Sequence, residues 1–250
     1  MHPIIETKNL SVHYGQTEAL KDISFAIEKG DFVGLAGPNG AGKTTLIKAI
    51  LGLLPISKGK IGLFGKTKEK FSDWGKIGYL PQKFSTINTL FPATVDEVVM
   101  LGLLSQKKFP KKITISDHKK VDDILQELGI SELKKRMLFE LSGGQQQKVL
   151  LARALVSNPE ILIFDEPSTA LDPESRESFF QLIQKLNKQD GIAVILITHD
   201  TGYIGQYANK LLYIDNGLIY FGKFSDFCRD EKMNSYFGRY EQHIICYQHN

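Results

Sequence analysis

The residues best suited to chemistry lie in one glycine-rich stretch, GPNGAGKTT. It places Gly37, Gly42, Lys43 and Thr44 at the spacing of a phosphate-binding P-loop. In that motif the glycines let backbone N–H groups wrap the phosphates, the lysine reaches the β- and γ-phosphates, and the next hydroxyl ligates Mg²⁺. The stretch therefore predicts a nucleotide site, and its spacing does not fit a dinucleotide fingerprint. The predicted nucleotide-binding residues here are Gly37, Pro38, Asn39, Gly40, Ala41, Gly42, Lys43, Thr44 and Thr45.

Two carboxylates that follow a short apolar run are the next candidates. Ile161–Phe164 predicts a buried strand, and Asp165 and Glu166 come directly after it. Asp165 suits the Mg²⁺ shell, whereas Glu166 suits a base that positions and polarises an attacking water. By itself such a pair is more often a surface feature, but beside a P-loop it indicates catalysis. We count Lys43 with Glu166 among the predicted catalytic residues.

A histidine ends another predicted core strand. The apolar run Ile195–Ile197 is followed by Thr198 and His199. In α/β proteins, ligands bind at the sheet edge formed by the carboxyl ends of the strands. His199 is therefore predicted to contact the γ-phosphate and the water, although a histidine at a strand end is often only structural.

A second glycine-rich loop, LSGGQQQ, opens another predicted helix. Ser142, Gly143, Gly144 and Gln145 precede or begin that helix, and free N–H groups at a helix N-terminus attract anions. One nucleotide has one triphosphate, so two phosphate-facing loops in a chain need separate roles. The alternative is that Ser142 is simply the helix N-cap and that the glycines make a turn.

The order of the predicted elements indicates an α/β fold with a mostly parallel, P-loop (RecA-like) core. Alternating residues before Asp31 predict an N-terminal antiparallel β-subdomain. Helical spacing from about residue 84 to 158 predicts a helical subdomain inserted into the core. The predicted helices are Thr44–Leu54, Thr94–Leu104, Asp117–Leu128, Gln146–Val156 and Pro173–Lys188, and Asn216–Gly217 predicts a hairpin.

The composition is that of a globular protein, with 42% hydrophobic and 24% charged residues among 250. The net charge of +3 gives no indication of nucleic-acid binding, and the basic run Gln106–Lys112 is predicted to be a solvated loop. Two cysteines, Cys228 and Cys246, are too few for a disulfide scaffold. We find no signal-peptide pattern and no apolar run of about 18–20 residues. We therefore expect a soluble chain whose membrane role would require a partner.

Taken together, the motifs closely resemble those of the ATP-binding subunit of an ABC transporter, over roughly Ile4 to Phe224. In that family Leu141–Gln145 matches the signature motif and Ser168–Asp172 the D-loop. The resemblance implies an ABC ATPase domain over residues 1–225 and a C-terminal tail over 226–250.

The same resemblance implies roles for three further residues. Gln82 matches the Q-loop glutamine, with catalytic, ATP-binding and Mg²⁺-binding roles, and Tyr14 matches the aromatic residue that stacks on adenine. Asp172 belongs to the D-loop. Each has a simpler alternative: a strand tyrosine for Tyr14, a loop amide for Gln82 and a helix N-cap for Asp172.

The resemblance also explains the two glycine-rich loops. It implies a head-to-tail homodimer in which the P-loop of one chain and the signature motif of the other hold the same ATP. It further implies an integral membrane permease as partner, a solute-binding protein as indirect partner, no nucleic acid, and a peripheral position on the cytoplasmic side of the cell membrane. Leu141–Asp172 most resembles the zinc or manganese importer branch, which predicts a divalent metal as cargo.

Two other functions and two local roles stay open at this point. The chain could be a soluble ABC ATPase acting on ribosomes, DNA or iron–sulfur assembly, or a catalytically inactive regulatory module, although no motif residue is lost. The tail residues His243, Cys246 and His249 are suitable zinc ligands, but their spacing is not an established zinc pattern, and a frayed tail or a terminal helix packed on the core is the favoured explanation. Phe84, Leu90 and Phe91 would either line the permease groove, at about Gln82–Leu104, or pack in the core.

Overall fold

A computed structural model describes residues 2–82, 92–167, 171–198 and 201–227, together with 229, 233 and 236. The chain divides into two compact units, Met1–Phe71 with Ala193–Asn250, and Ser72–Ile192. The strands are β1 (Ile5–Tyr14), β2 (Thr17–Ile27), β3 (Phe32–Ala36), β4 (Lys58–Leu63), β5 (Lys66–Thr67), β6 (Ile77–Leu80), β7 (Ile161–Asp165), β8 (Ala193–Ile197), β9 (Lys210–Asp215) and β10 (Gly217–Lys223). The helices are α1 (Lys43–Ile50), α2 (Val95–Met100), α3 (Ile115–Glu127), α4 (Gly143–Leu155), α5 (Pro173–Asp190), α6 (Thr201–Tyr207) and α7 (Phe224–Phe227).

The first unit begins with an antiparallel sheet. Strand β1 pairs with β2 on one side and with β4 on the other, and β4 also pairs with β5. The apolar side chains Ile5, Leu10 and Val12 of β1 are fully buried, while Lys8, Asn9 and His13 of the same strand are exposed. The N-terminal antiparallel β-subdomain expected from the alternation is therefore confirmed.

The same unit contains parallel strands that lead to the P-loop. Strand β3 pairs in parallel with β8 and with β9, and the strand order in this unit is β5-β4-β1-β2-β10-β9-β3-β8. Every residue of β3 and β8 is buried. Strands covered on both faces are expected to be continuously apolar, which explains the runs FVGLA and AVILI.

The second unit is mainly helical around one parallel strand pair. Strands β6 and β7 pair in parallel, and α2, α3 and α4 lie between them in the chain. Helix α4 packs against α2, α3 and β6. Among the described residues, no helix combines the length and the apolar character needed to cross a bilayer.

Three helix boundaries differ from those predicted by three residues or more. Helix α1 ends at Ile50 rather than Leu54, because Gly52 is left-handed at φ 71° and the N–H of Leu53 bonds the carbonyl of Lys48 in a Schellman motif. Residues 101–106 form a 3₁₀ helix instead of extending α2. Helix α4 begins at Gly143, three residues earlier than predicted, because Ser142 caps it.

Close packing of β6 on α4 gives a test of the fold in the second unit. A Cβ at Gly78 would lie 2.6 Å from Leu162 Cδ2 and 2.8 Å from the carbonyl oxygen of Ala154. We expect Gly78→Ala to lower the free energy of unfolding by about 1–3 kcal/mol. In the matched control Gly62→Ala, the nearest atom is 3.6 Å away, and stability should change little. Urea unfolding that finds equal stability for both variants would contradict the packing described here.

Candidate functional site

The P-loop of the first unit has a conformation that only glycine fits at two positions. Gly37 follows β3 with φ 147°, and a Cβ there would lie 2.0 Å from the carbonyl oxygen of Ile214. Gly42 has φ 92°, and its Cβ would lie 2.4 Å from Leu20 Cδ2. Because the neighbours approach the bare backbone so closely, the loop is held in one shape.

Lys43 begins α1 and lies inside this loop. Its ammonium donates hydrogen bonds to the carbonyl oxygens of Gly37 at 2.7 Å and Pro38 at 2.8 Å. The residue is only 8% exposed. A positive group at the start of a helix, where backbone N–H groups lack intrahelical partners, makes a strong anion site. Thr44 follows directly and is partly buried.

A hairpin from far along the chain braces the P-loop. The N–H of Asn216, between β9 and β10, donates to the carbonyl of Ala41 at 3.3 Å. The carbonyl of Asn216 accepts from the N–H of Lys21 in β2 at 2.7 Å. The sequence predicts this hairpin from Asn216–Gly217, but the hairpin's contact with the loop is not readable from local residues.

In the second unit, the predicted carboxylates end β7. Asp165 is its last residue and is 1% exposed. Tyr79 of β6 pairs with Ile163 of β7, two residues before Asp165. Burial, and after it the charge of Asp165, raises the pKa of the tyrosine to about 12. Nothing in the local sequence singles out Tyr79 beyond its place beside the Q-loop. The hydroxyl therefore stays protonated well into the alkaline range.

The structure brings Gln82 and Glu166 together. Strands β6 and β7 are parallel with Leu80 opposite Phe164, so the residues two positions later lie at the same level beyond the strand ends. The Gln82 amide donates to the Glu166 carboxylate at 2.8 Å. Glu166 has φ 53°, a left-handed conformation that is uncommon outside glycine and is concentrated at functional sites.

The signature loop is ordered by its own helix. Ser142 Oγ accepts from the N–H of Gln145 at 3.3 Å, and Gln145 Oε1 accepts from the N–H of Ser142 at 3.1 Å, which is a capping box. Gln146 Nε2 donates to the carbonyls of Leu138 and Leu141, at 3.1 Å each. Ser142 and Gly143 remain exposed. Ser142 is therefore the N-cap of α4, as the alternative interpretation predicts. This role leaves the outer face of the loop accessible to a ligand.

The start of α4 lies against the start of α5, at Gly144 and Ser175, and Asp172 is the N-cap of α5. A Cβ at Gly144 would lie 3.1 Å from Ser175 Oγ. Asp172 accepts from the N–H of Ser175 at 3.0 Å and caps α5, and the hydrogen bonds from Ser175 lower the pKa of its carboxyl group. Asp172 therefore has the N-cap role that its sequence allowed.

Tyr14 ends β1 in the first unit and is 49% exposed. An exposed ring is available for stacking on a flat ligand. Several predicted residues lie outside the described part of the chain: Phe84, Leu90, Phe91, Ser168, Thr169, Ala170, His199, Cys228, His243, Cys246 and His249. Within the described residues, no group of three or more histidines, cysteines or carboxylates is placed to hold a metal ion.

Comparison with known proteins adds the following findings. Residues 20–169 match the protein-family model described as ABC transporter. The chain is 44% identical over 222 residues to the zinc uptake system ATP-binding protein ZurA of Listeria innocua, which covers 89% of this chain and 86% of that protein. It is 36% identical over 226 residues to the manganese transport system ATP-binding protein MntB of Halalkalibacterium halodurans, covering 90% of this chain and 88% of that protein.

A solved structure is similar in fold as well. It is a dimeric ATP-binding cassette in a post-hydrolysis state, bound to ADP and phosphate. The TM-score is 0.73 at 29% sequence identity, and the match covers 88% of this chain and 98% of that chain.

The contact between Gln82 and Glu166 gives a test by pH. In Gln82→Glu, two carboxylates replace the hydrogen bond, and their repulsion raises the pKa of the pair. The stabilising protonated state is present at low pH and is lost as pH rises through the raised pKa. Gln82→Glu should therefore lose free energy of unfolding between pH 5 and pH 8, by less than about 1 kcal/mol because the pair is exposed and solvent screens the repulsion. Gln82→Ala, measured in the same urea unfolding experiments, should show no such loss of stability with pH. If the two variants have the same pH dependence, the side chains at positions 82 and 166 are not in contact.

Proposed function

The chain belongs to the ABC transporter family and is an ATP-binding ATPase, and from this premise we propose that it powers uptake of a divalent metal ion, zinc or manganese, through a separate membrane permease. The observation that carries the substrate class is the identity to a zinc uptake ATPase over 89% of the chain. That match spans 222 residues, more than the 150 residues (20–169) matched by the general family model.

The first unit supplies the ATP-binding half of the mechanism. The P-loop backbone wraps the phosphates, and Lys43 exchanges its contacts with the Gly37 and Pro38 carbonyls for phosphate oxygens. Tyr14 stacks on the adenine. The cradle fits a phosphate chain because its glycines leave no side chain in the way.

We assign Mg²⁺ to Thr44, Asp165 and Gln82, which offer the oxygen ligands that this ion prefers. Asp165 is a buried carboxylate at the end of β7, a position that suits a charged ligand of a cation. When bound with ATP, Mg²⁺ neutralises phosphate charge.

Glu166 is the proposed general base. Its left-handed backbone directs it past the end of β7, and the Gln82 amide holds one carboxylate oxygen at 2.8 Å. The carboxylate then orients water and accepts its proton, while Gln82, two residues beyond β6, holds the carboxylate in place. We also assign His199, which follows the apolar run Ile195–Ile197 in the sequence, to the γ-phosphate and the attacking water.

The working form is proposed to be a head-to-tail homodimer. The exposed Ser142 and Gly143, with Gly144 and Gln145, meet the γ-phosphate bound in the P-loop of the partner chain, and Asp172 lies near the same junction. ATP then closes the dimer and its hydrolysis opens it. A permease at the cytoplasmic face of the membrane binds the segment Gln82–Leu104 and uses this motion, and a solute-binding protein delivers the metal to the permease.

Metal accumulation in cells that lack the chromosomal copy tests the transport role. The wild-type chain should restore zinc or manganese uptake, whereas Lys43→Ala and Glu166→Gln should not. In vitro, Lys43→Ala should lose ATP binding because the loop loses its cation. Glu166→Gln should keep binding ATP, hydrolyse it at least about 100-fold more slowly and remain dimeric.

Lys148 is exposed and lies in α4, the helix that begins within the signature motif. The control variant Lys148→Ala should support normal uptake. Unchanged metal content in all strains, with the chain pelleting with ribosomes instead of a permease, would refute the transport role.

Ser142 can be separated into its capping and its ligand-binding roles. Asp and Asn cap helices as well as Ser does, so Ser142→Asp and Ser142→Asn should both keep wild-type thermal stability. Only Ser142→Asp places a negative charge against the phosphate of the partner chain. It should abolish ATP-driven dimerisation, measured by sedimentation, while Ser142→Asn retains most of it. Normal dimerisation of Ser142→Asp would leave Ser142 as a cap only.

A further inference from the structure

A strongly basic segment runs from the end of the 3₁₀ helix that follows α2 into the first turns of α3. This basic segment, residues 106–120, reads QKKFPKKITISDHKK and contains six lysines against one aspartate. Its net charge is +5, whereas the whole chain carries only +3. The remainder of the chain is therefore net negative, and the positive charge is concentrated here.

The same segment displays apolar side chains to solvent. Phe109 is 94% exposed and Ile115 is 90% exposed, the highest values among the large hydrophobic residues described. Ile113, between them, is also exposed. Single exposed apolar residues are common on protein surfaces, but three within seven residues, among exposed Lys108, Lys111 and Lys112, indicate a binding surface.

The base of the segment is fixed to the helical unit. Lys107 Nζ lies 2.6 Å from Asp117 Oδ2, and the N–H of Thr114 donates to the same oxygen at 2.6 Å. Gln106 Nε2 donates to the carbonyl of Ser157 at 2.6 Å. The only carboxylate of the segment is thus buried and paired with one lysine, and the other five lysines keep their charge for an external partner.

We propose that the basic segment docks on the surface of an anionic phospholipid bilayer, with Phe109 and Ile115 in the interface and Lys108, Lys111 and Lys112 at the lipid phosphates. Lysine clusters bind anionic leaflets, and apolar side chains among them enter the boundary between headgroups and acyl chains. Lysine stems can follow the apolar surface while their ammonium groups stay with the phosphates.

Lipid fits this surface better than single-stranded nucleic acid does. Bases bind by stacking on aromatic rings, and only one of the three exposed apolar residues is aromatic. Aliphatic Ile113 and Ile115 gain nothing from a base but are stabilised at a lipid interface. This contact would hold the subunit at the membrane independently of nucleotide and permease, so it goes beyond the transport role.

Vesicle sedimentation of the full chain tests this contact. Vesicles of phosphatidylcholine with phosphatidylglycerol should bind the wild type, phosphatidylcholine alone should bind it weakly, and high salt should release it. The double variant Phe109→Ser/Ile115→Ser and the triple variant Lys108→Gln/Lys111→Gln/Lys112→Gln should each lower the apparent affinity at least about ten-fold.

Matched controls make the same chemical changes in the first unit. Leu53→Ser removes an exposed apolar side chain, and Lys58→Gln/Lys60→Gln/Lys70→Gln removes three exposed charges; both should bind vesicles like the wild type. Absence of wild-type binding, or equal loss in the controls, overturns the inference, as does binding of a single-stranded oligonucleotide but not of vesicles. None of these outcomes alters ATP hydrolysis or metal uptake, which test the transport role separately.

Discussion

The organisation of this protein depends on strands that are buried along their whole length. All residues of β3, β7 and β8 are buried, so polar side chains can leave the sheet only at the strand ends. An ionised group within such a strand would be very costly unless paired, and the one carboxylate inside, Asp165, is the last residue of β7. Reactive residues therefore collect at the carboxyl edges of the strands.

Contacts with neighbouring residues fix the geometry of the loops that follow these strand ends. The P-loop is held from outside by the carbonyl of Ile214 and by Asn216, and from inside by Lys43. In the second unit, strand register places the Gln82 amide on the Glu166 carboxylate. The P-loop and the Gln82–Glu166 pair are therefore each held in place by contacts within the protein itself.

Local sequence is sufficient for the features that depend on local chemistry. The apolar run before Gly37, the P-loop spacing, and the N-caps at Ser142 and Asp172 are readable because each is made by residues a few positions apart. The predicted end of α1 is wrong, because apolar residues continue past Ile50 although Gly52 terminates the helix. Contacts such as Gln82 with Glu166 need strand register, which a single sequence does not contain; the roles of the site residues therefore still rest on the family motifs.

Sharing of each ATP between two chains is tested most directly by mixing two inactive variants. Lys43→Ala has an intact signature loop, and Ser142→Asp has an intact P-loop. In a head-to-tail dimer, a mixed pair contains one complete composite site, whereas each variant alone contains none. ATP hydrolysis by the equimolar mixture should return to as much as about half of the wild-type rate, since only mixed pairs can close around ATP and each has one of two sites. A mixture as inactive as its separate components would contradict a site built from two chains.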